Sequence, residues 1–572
     1  MDSSTNHKHI IYQMFPRLFG NTNTTNKFYG SIDENGVGKL NDINDKALQE
    51  LKAMGFTHIW YTGIVEHATM TDYSQFGIKP DDPDVVKGRA GSPYAIKDYY
   101  DIDPDLAVDV KKRMKEFEAL VKRTHTNGLK VLIDFVPNHV ARTYNSDAKP
   151  KGVRDFGADD DTTQAFSPRN DFYYTPGQAF VVPQGYNPGG EGFTSPLKDG
   201  KFDENPAKAI GNDVFSATPA INDWFETLKL NYGVDYLNNR ECHFDPIPPV
   251  WQKMYDILHF WTEKGVDGFR CDMVEIVPAE FWGWLIPKLK EAHPQLIFIG
   301  EAYDPRIYGK YIFTGHFDYL YDKEGLYDGI RRLTRNEWNA TIWDINKVVF
   351  YESKDFPEHM LRFMENHDEV RIAAPDFAGS PWLAVPGMIV TATLSTGPVM
   401  IYSGQEVGEP AVGPEGFSGN DGRTTIFDYW GMPELQKWVN GHKFDGGGLS
   451  DEQKQLRRFY STLLNVAGQN EAFTHGNFYE LMLANQHSRG FDERVYAYLR
   501  YTDVQRVLVL VNFSRYEREI NIMLPRDVID MMLLRGAIAF SDMLGDKVYH
   551  TINIEDGLYI KLPASGGVLL NF

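Results

Sequence analysis

What most constrains this chain is a repeated arrangement. Short apolar runs end in polar or acidic clusters, and helix-period segments separate them. Val131-Leu132-Ile133 leads into Asp134, Gly268-Phe269-Arg270-Cys271 into Asp272, and Leu296 to Gly300 into Glu301. Met360 to Met364 leads into Glu365-Asn366-His367-Asp368, and His58 to Tyr61 and Pro398 to Tyr402 are further runs of this kind. Between them, Val110, Met114, Phe117, Leu120 and Val121 share one helical face that Gly128 stops. Met254, Ile257, Leu258 and Trp261 repeat at helical spacing before Gly265. A strand that is apolar on both sides must be covered on both faces. Such strands alternating with amphipathic helices predict an α/β fold built on a parallel sheet.

One interval breaks the rhythm. A βα unit takes roughly 30 residues, yet Asp134 and Asp272 are 272 − 134 = 138 positions apart. The stretch 140–235 is rich in Gly, Pro, Asn, Asp and aromatics, as in Pro183-Gln184-Gly185-Tyr186-Asn187-Pro188-Gly189-Gly190. It reads as an irregular domain inserted after the third strand, on the face where barrel enzymes keep their active sites. From about Thr474 the pattern changes again. Val495 to Tyr501 and Val507 to Phe513 are strands around a polar turn, and Ile520 to Leu524 and Leu558 to Leu562 follow. This predicts a small antiparallel β domain. The expected division is a catalytic barrel in two parts, 1–139 and 236–473, an inserted domain, 140–235, and a C-terminal β-sandwich domain, 474–572.

Composition removes several function classes. The 572 residues carry 79 Asp and Glu against 58 Lys and Arg, a net charge of −21. Such a surface repels phosphate backbones and anionic lipid, so neither nucleic acid nor membrane is an expected partner. Only Cys242 and Cys271 are present, too few for a disulfide framework or a structural zinc site. Met1 to Asn6 has no cationic segment leading into an apolar one, and the first apolar run is Ile10-Ile11-Tyr12. A cytoplasmic location is the expectation, although a mature exported chain would read the same way. The longest apolar stretch, Trp382 to Tyr402, is interrupted by Pro386, Gly387, Gly397 and Pro398. It reads as a buried helix and strand rather than a membrane span.

The chemistry lies at the strand ends. A carboxylate at the mouth of an apolar strand cannot be buried alone, because desolvating it is too costly. It must pair, titrate abnormally or line a polar pocket. Any one of these acids could equally cap the next helix. Four such clusters at the converging strand ends of one barrel point instead to a shared pocket. Three acids with an arginine and two histidines suit glycoside hydrolysis. One carboxylate attacks the anomeric carbon, and a second, kept protonated near neutral pH, protonates the leaving oxygen. The 14% aromatic content leaves rings for stacking on sugar faces as well as for the core.

The ordered set of motifs resembles the α-amylase family of retaining glycosidases, glycoside hydrolase family 13. Asp134 to His139, Gly268 to Asp272, Gly300-Glu301-Ala302 and Phe363 to Asp368 resemble its four signature regions. Tyr94 to Tyr100, Leu237-Asn238 and Ile401 to Glu406 resemble accessory segments. The likeness covers nearly the whole chain and implies a (β/α)8 TIM barrel. It implies Asp272 as nucleophile, Glu301 as general acid/base and Asp368 as transition-state stabiliser. Arg270 would orient Asp272, His139 and His367 would bind sugar hydroxyls, and Tyr94 would stack beneath the ring. Asp134 would be structural or weakly supportive. The substrate would be an α-glucan oligosaccharide or polysaccharide, cleaved at α-1,4 bonds with no organic cofactor.

Departures from the family pattern leave some points open. Glu275-Ile276 stands where many starch-cleaving members carry a Lys-His pair near a calcium ion, so calcium is not firmly implied, though Asn138 remains a candidate ligand. Asp33 to Leu40 resembles a second calcium loop in which Lys39 replaces the last carboxylate, and its ammonium is expected in the cation's place. The same acids also serve transglycosylases and neopullulanase or cyclomaltodextrinase-type hydrolases. A non-catalytic glycan-binding relative would typically have lost an acid, and none is lost here. Oligomeric state is not legible.

Overall fold

The computed structural model describes residues 8–572, so the expectation about Met1 to Asn6 lies outside the described residues. Eight parallel strands form the central sheet. In chain order they are β1 (Ile10–Met14), β2 (His58–Tyr61), β3 (Lys130–Phe135), β4 (Gly268–Cys271), β5 (Ile297–Gly300), β6 (Tyr319–Tyr321), β7 (Met360–Leu361) and β8 (Val399–Tyr402). From β2 to β7 each pairs in parallel with its predecessor, in registers such as Tyr12 with Ile59, Ile133 with Phe269 and Phe269 with Phe298. β8 returns to β1 through Ile10 and Val399, and a bridge from Arg362 to Val399 closes the ring to β7. The fold is a TIM barrel, and helices such as Arg113–Thr126, Pro249–Glu263 and Ala279–Ala292 cover its strands.

The helices start and stop where local chemistry directs. Pro249 opens its helix at the first position, where a missing N–H costs nothing, and Gly265 ends it in the left-handed region at φ 93°. Its apolar stripe, Met254, Ile257, Leu258 and Trp261, is buried, as is Phe117-Leu120-Val121 on the helix before β3. At ~1.5–3 kcal/mol per buried large side chain, these faces hold the helices to the sheet. The stretch Trp382 to Tyr402 resolves into the buried helix Val385–Thr393 and β8, as its Pro and Gly positions indicate.

An irregular domain is inserted after β3. It contains only short paired segments, His139–Ala141 with Thr227–Lys229 and Tyr174–Thr175 with Ala207–Lys208. Most of its backbone is loop. The C-terminal region forms a six-stranded antiparallel sheet, with a two-stranded ribbon, Arg518–Ile522 with Leu558–Leu562, beside it. Val495–Tyr501 and Arg506–Asn512 pair at its centre. Among the described residues no helix is long and apolar enough to cross a membrane.

Candidate active site

The C-terminal ends of the barrel strands gather the predicted residues. β3 carries Asp134 and leads to His139. β4 carries Arg270 and ends one residue before Asp272, β5 ends one residue before Glu301, and β7 leads to His367 and Asp368. Tyr94 lies two residues before the strand Ile96–Ile102, which pairs with Val65–His67 in a hairpin after β2. Tyr94, His139, Asp272, Glu301, His367 and Asp368 line one cavity of about 390 Å³.

Arg270 is the centre of this site. Its guanidinium is fully buried, with Nη1 2.8 Å from Asp272 Oδ1 and Nη2 2.8 Å from Glu301 Oε2. Asp134 Oδ1 lies 3.7 Å from Nη1, and Nε donates to Tyr321 Oη at 3.2 Å. Trp60 and Tyr94 present ring faces to the cation at 5.2 and 5.4 Å. A buried guanidinium is tolerable only with such pairing, and its planar fork can hold two carboxylates in fixed relation.

The carboxyl groups are electrically distinct. Burial pushes Glu301 up and Arg270 pulls it down, while Asp272 and Asp368 push it up again, to about 7. Burial raises Asp272 above the ordinary aspartate range despite its bond to Arg270. Burial acts on Asp368 in the same sense, but its ion pair with His367, Oδ2 to Nε2 at 3.0 Å, together with the charges of Arg270 and Arg423 holds Asp368 low. Side-chain exposure is 3% for Glu301, 8% for Asp272 and 39% for Asp368, so Asp368 faces the opening. One acid near neutrality beside one held ionised is the division that acid/base catalysis needs.

The histidines are fixed by neighbours. His367 Nδ1 meets the Gln13 amide at 2.8 Å, Nε2 meets Tyr94 Oη at 2.6 Å, and the two rings stack at 5.2 Å. His139 packs against Trp224, with ring centroids 5.4 Å apart. Asp134 Oδ2 accepts from the Gly63 N–H at 3.2 Å. Gly63 has φ +72°, and a Cβ there would lie 2.6 Å from Phe15, so the approach requires glycine. Cys271 is buried, and strand alternation turns it to the face opposite Arg270 and Asp272. Glu365, grouped with the strand-end acids by sequence, instead pairs with Arg371 at 2.9 Å.

Several site residues carry no signal in the sequence. Tyr303 Oη donates to Glu301 Oε1 at 2.6 Å. Met273 is left-handed at φ 45°, and its N–H donates to Glu301 Oε2 at 2.9 Å. A bulky residue held in that region beside the acid is local strain of the kind that collects at active sites. Glu275 accepts from the N–H groups of Tyr303 and Asp304 at 3.1 and 3.2 Å, anchoring the turn that presents Tyr303. The inserted domain contributes Trp224 and Glu226, and Glu226 pairs at 3.0 Å with Lys87.

The residues around Asn138 do not fit calcium. Asn138 Oδ1 accepts from Lys229 Nζ at 2.8 Å, and the same buried ammonium lies 2.6 Å from Asp213 Oδ1. A fixed positive charge already occupies these oxygens. In the N-terminal loop, the Lys39 ammonium donates to the Asp105 carbonyl at 2.6 Å.

Comparisons with known proteins bear on the family and the fold. The family model described as alpha amylase, catalytic domain, matches residues 13–426. The chain is similar to Alpha-amylase 3 of Dictyoglomus thermophilum, 23% identical over 557 residues, spanning 92% of this chain and 89% of that one. It is similar to Trehalose-6-phosphate hydrolase of Bacillus subtilis, 25% identical over 386 residues, but that match spans 66% of this chain and 51% of the relative. A crystal structure of a maltogenic alpha-amylase from Thermotoga neapolitana superposes with a TM-score of 0.62 at 21% identity, covering 99% of this chain and 98% of that one. At that identity the likeness speaks for the fold.

Proposed function

The chain belongs to the alpha-amylase family of glycoside hydrolases, and from that premise we propose that it is a retaining hydrolase of α-1,4-glucosidic bonds in maltodextrins, glycogen or starch. The observation that carries this reading is the pair Asp272 and Glu301 on one guanidinium, with Glu301 raised to about 7. Asp272 attacks the anomeric carbon as Glu301 passes its proton to the glycosidic oxygen. The bond to the leaving sugar breaks, and a glycosyl ester forms on Asp272. Glu301, now a carboxylate, removes a proton from water, the water oxygen attacks the anomeric carbon, and the ester bond to Asp272 breaks. Two inversions give net retention.

Arg270 keeps Asp272 ionised and aimed. Asp368, ionised through His367, faces the charge that develops on the sugar. Tyr94 and Trp224 offer ring faces to the substrate, and His139 and His367 offer nitrogens to its hydroxyls. The test is a product time course on linear maltooligosaccharides, pullulan and cyclodextrin with an anomeric readout. Shorter α-configured products from linear chains, with pullulan largely spared, are expected. Longer products would reassign the chain to transfer, and panose or maltotriose from pullulan to a neopullulanase-type activity. No turnover on any of them would leave a glycan-binding protein.

A further inference from the structure

Outside the active cavity, a second group of acids is arranged for a ligand of its own. Glu66, Asp101 and Asp147 each bring a carboxylate oxygen within 4.8 Å of the others. Glu66 and Asp101 belong to the hairpin after β2, and Asp147 lies in the first stretch of the inserted segment. Glu66 is 2% exposed, and its Oε2 is sealed from solvent with no hydrogen-bond partner among the described residues. The nearest ammonium, Lys97 Nζ, is 3.8 Å from Oε1 and is engaged with Asp81 at 3.2 Å and with the Lys79 carbonyl. Arg113 holds Asp101 Oδ2, and the Ile102 N–H donates to Asp101 Oδ1 at 2.7 Å. Asp98, whose charge also bears on Glu66, is occupied by Ser146 Oγ at 2.6 Å and the Ala148 N–H at 2.9 Å.

A buried carboxylate without donors is costly, and three further acids around it deepen the cost. Asp98 also pins residues on both sides of Asp147, which fixes Asp147 over the pair on the hairpin. All the donors are carboxylate oxygens with no sulfur or imidazole, a set that selects hard cations. Calcium takes such carboxylates in a flexible shell of variable number, whereas magnesium demands a near-octahedral set and keeps several of its waters, so a site built from three protein carboxylates favours calcium.

We propose that Glu66, Asp101 and Asp147 form a calcium site that clamps the start of the inserted domain to the hairpin bearing Tyr94. This proposal is independent of the glycosidase reading and of the residues around Asn138. Thermal unfolding of the chelator-treated full chain, titrated with calcium chloride and separately with magnesium chloride, tests it. Calcium is expected to raise Tm saturably, by on the order of a few degrees at a hundredfold excess over Kd, and magnesium less. Asp147→Asn should keep the parental Tm in chelator and gain nothing from calcium. Glu66→Gln should match or exceed the parent in chelator, because a buried charge is gone, and fall below it in calcium. Isothermal titration should count one tight calcium per chain in the parent and none in Asp147→Asn, which decides the matter if Glu66→Gln fails to fold. No calcium response in the parent, or an undiminished one in Asp147→Asn, would overturn the site.

Discussion

Glu301 has to hold a proton while Asp272, on the same guanidinium, has to remain without one. That requirement generates two predictions. Asp272→Asn keeps the shape and the contact to Arg270 but removes the nucleophile, so kcat should fall on the order of 10⁴-fold with Tm near the parental value. Parental turnover in that variant would end the assignment. The second concerns pH. Activity needs Glu301 protonated, so kcat/KM should fall as pH rises through an apparent pKa of about 7. Its acid limb, set by Asp272, should lie above that of an ordinary aspartate, because Asp272 is raised. Tyr303 donates to Glu301 and thereby favours the carboxylate. Tyr303→Phe should move the alkaline limb upward and lower kcat more than it changes KM, whereas a purely structural role would leave the limb in place. The motif acids, Arg270 and the histidines were legible because each stands at the end of an apolar run. Tyr303 and Lys229 were not. Their roles are made by contacts with Glu301 and Asn138 that no local pattern announces.

The elements differ in how plainly they are written. β3, β4 and β5 are continuous apolar runs and can be read directly. β6 is three residues long, Tyr319–Tyr321, between Asp318 and Asp322, and so short a segment shows no period. Parallel pairing on both sides, of Tyr319 with Ile299 and of Leu320 with Met360, makes it a strand. The inserted domain is recognisable by its length and turn-rich composition, but its internal order depends on long-range polar contacts. Lys229 is the clearest case. It leads from the short strand Thr227–Lys229 to Asn138 and Asp213, next to His139. Lys229→Met removes that cation and leaves Asp213 facing a lost partner. Asp213 is a quarter exposed, so the loss is discounted to roughly 1–3 kcal/mol, readable as a lower urea midpoint. Adding Asp213→Asn should return part of it. If the double variant is no better than the single one, the pairing does not hold this domain in place.

At the scale of the whole molecule, the C-terminal sheet acts as a wall of the barrel. The helix Val385–Thr393 is buried from Pro386 onward on every side, a pattern that a barrel helix facing solvent cannot show. Its outer face meets the sheet. Thr393 Oγ1 and Tyr498 Oη are 2.6 Å apart, and Arg500 Nη1 donates to the Leu394 carbonyl at 2.7 Å. Gly567 approaches so closely that a Cβ would lie 2.9 Å from Ile389 Cδ1 and 2.7 Å from the Leu510 carbonyl. Removing 474–572 would uncover Met388, Ile389 and Val390 together with the polar groups that Tyr498 and Arg500 satisfy. At ~1.5–3 kcal/mol per large side chain, a few such exposures equal much of the ~5–15 kcal/mol that keeps a domain folded. The fragment 1–473 is therefore expected to be insoluble, and the full chain to unfold in one calorimetric transition. Gly567→Val tests the same contact without truncation. It should lower Tm by several degrees and bring separation of two transitions, because the added methyls force the sheet away from the helix. A soluble 1–473 fragment with parental kcat/KM would instead make the sheet an appendage with a role elsewhere.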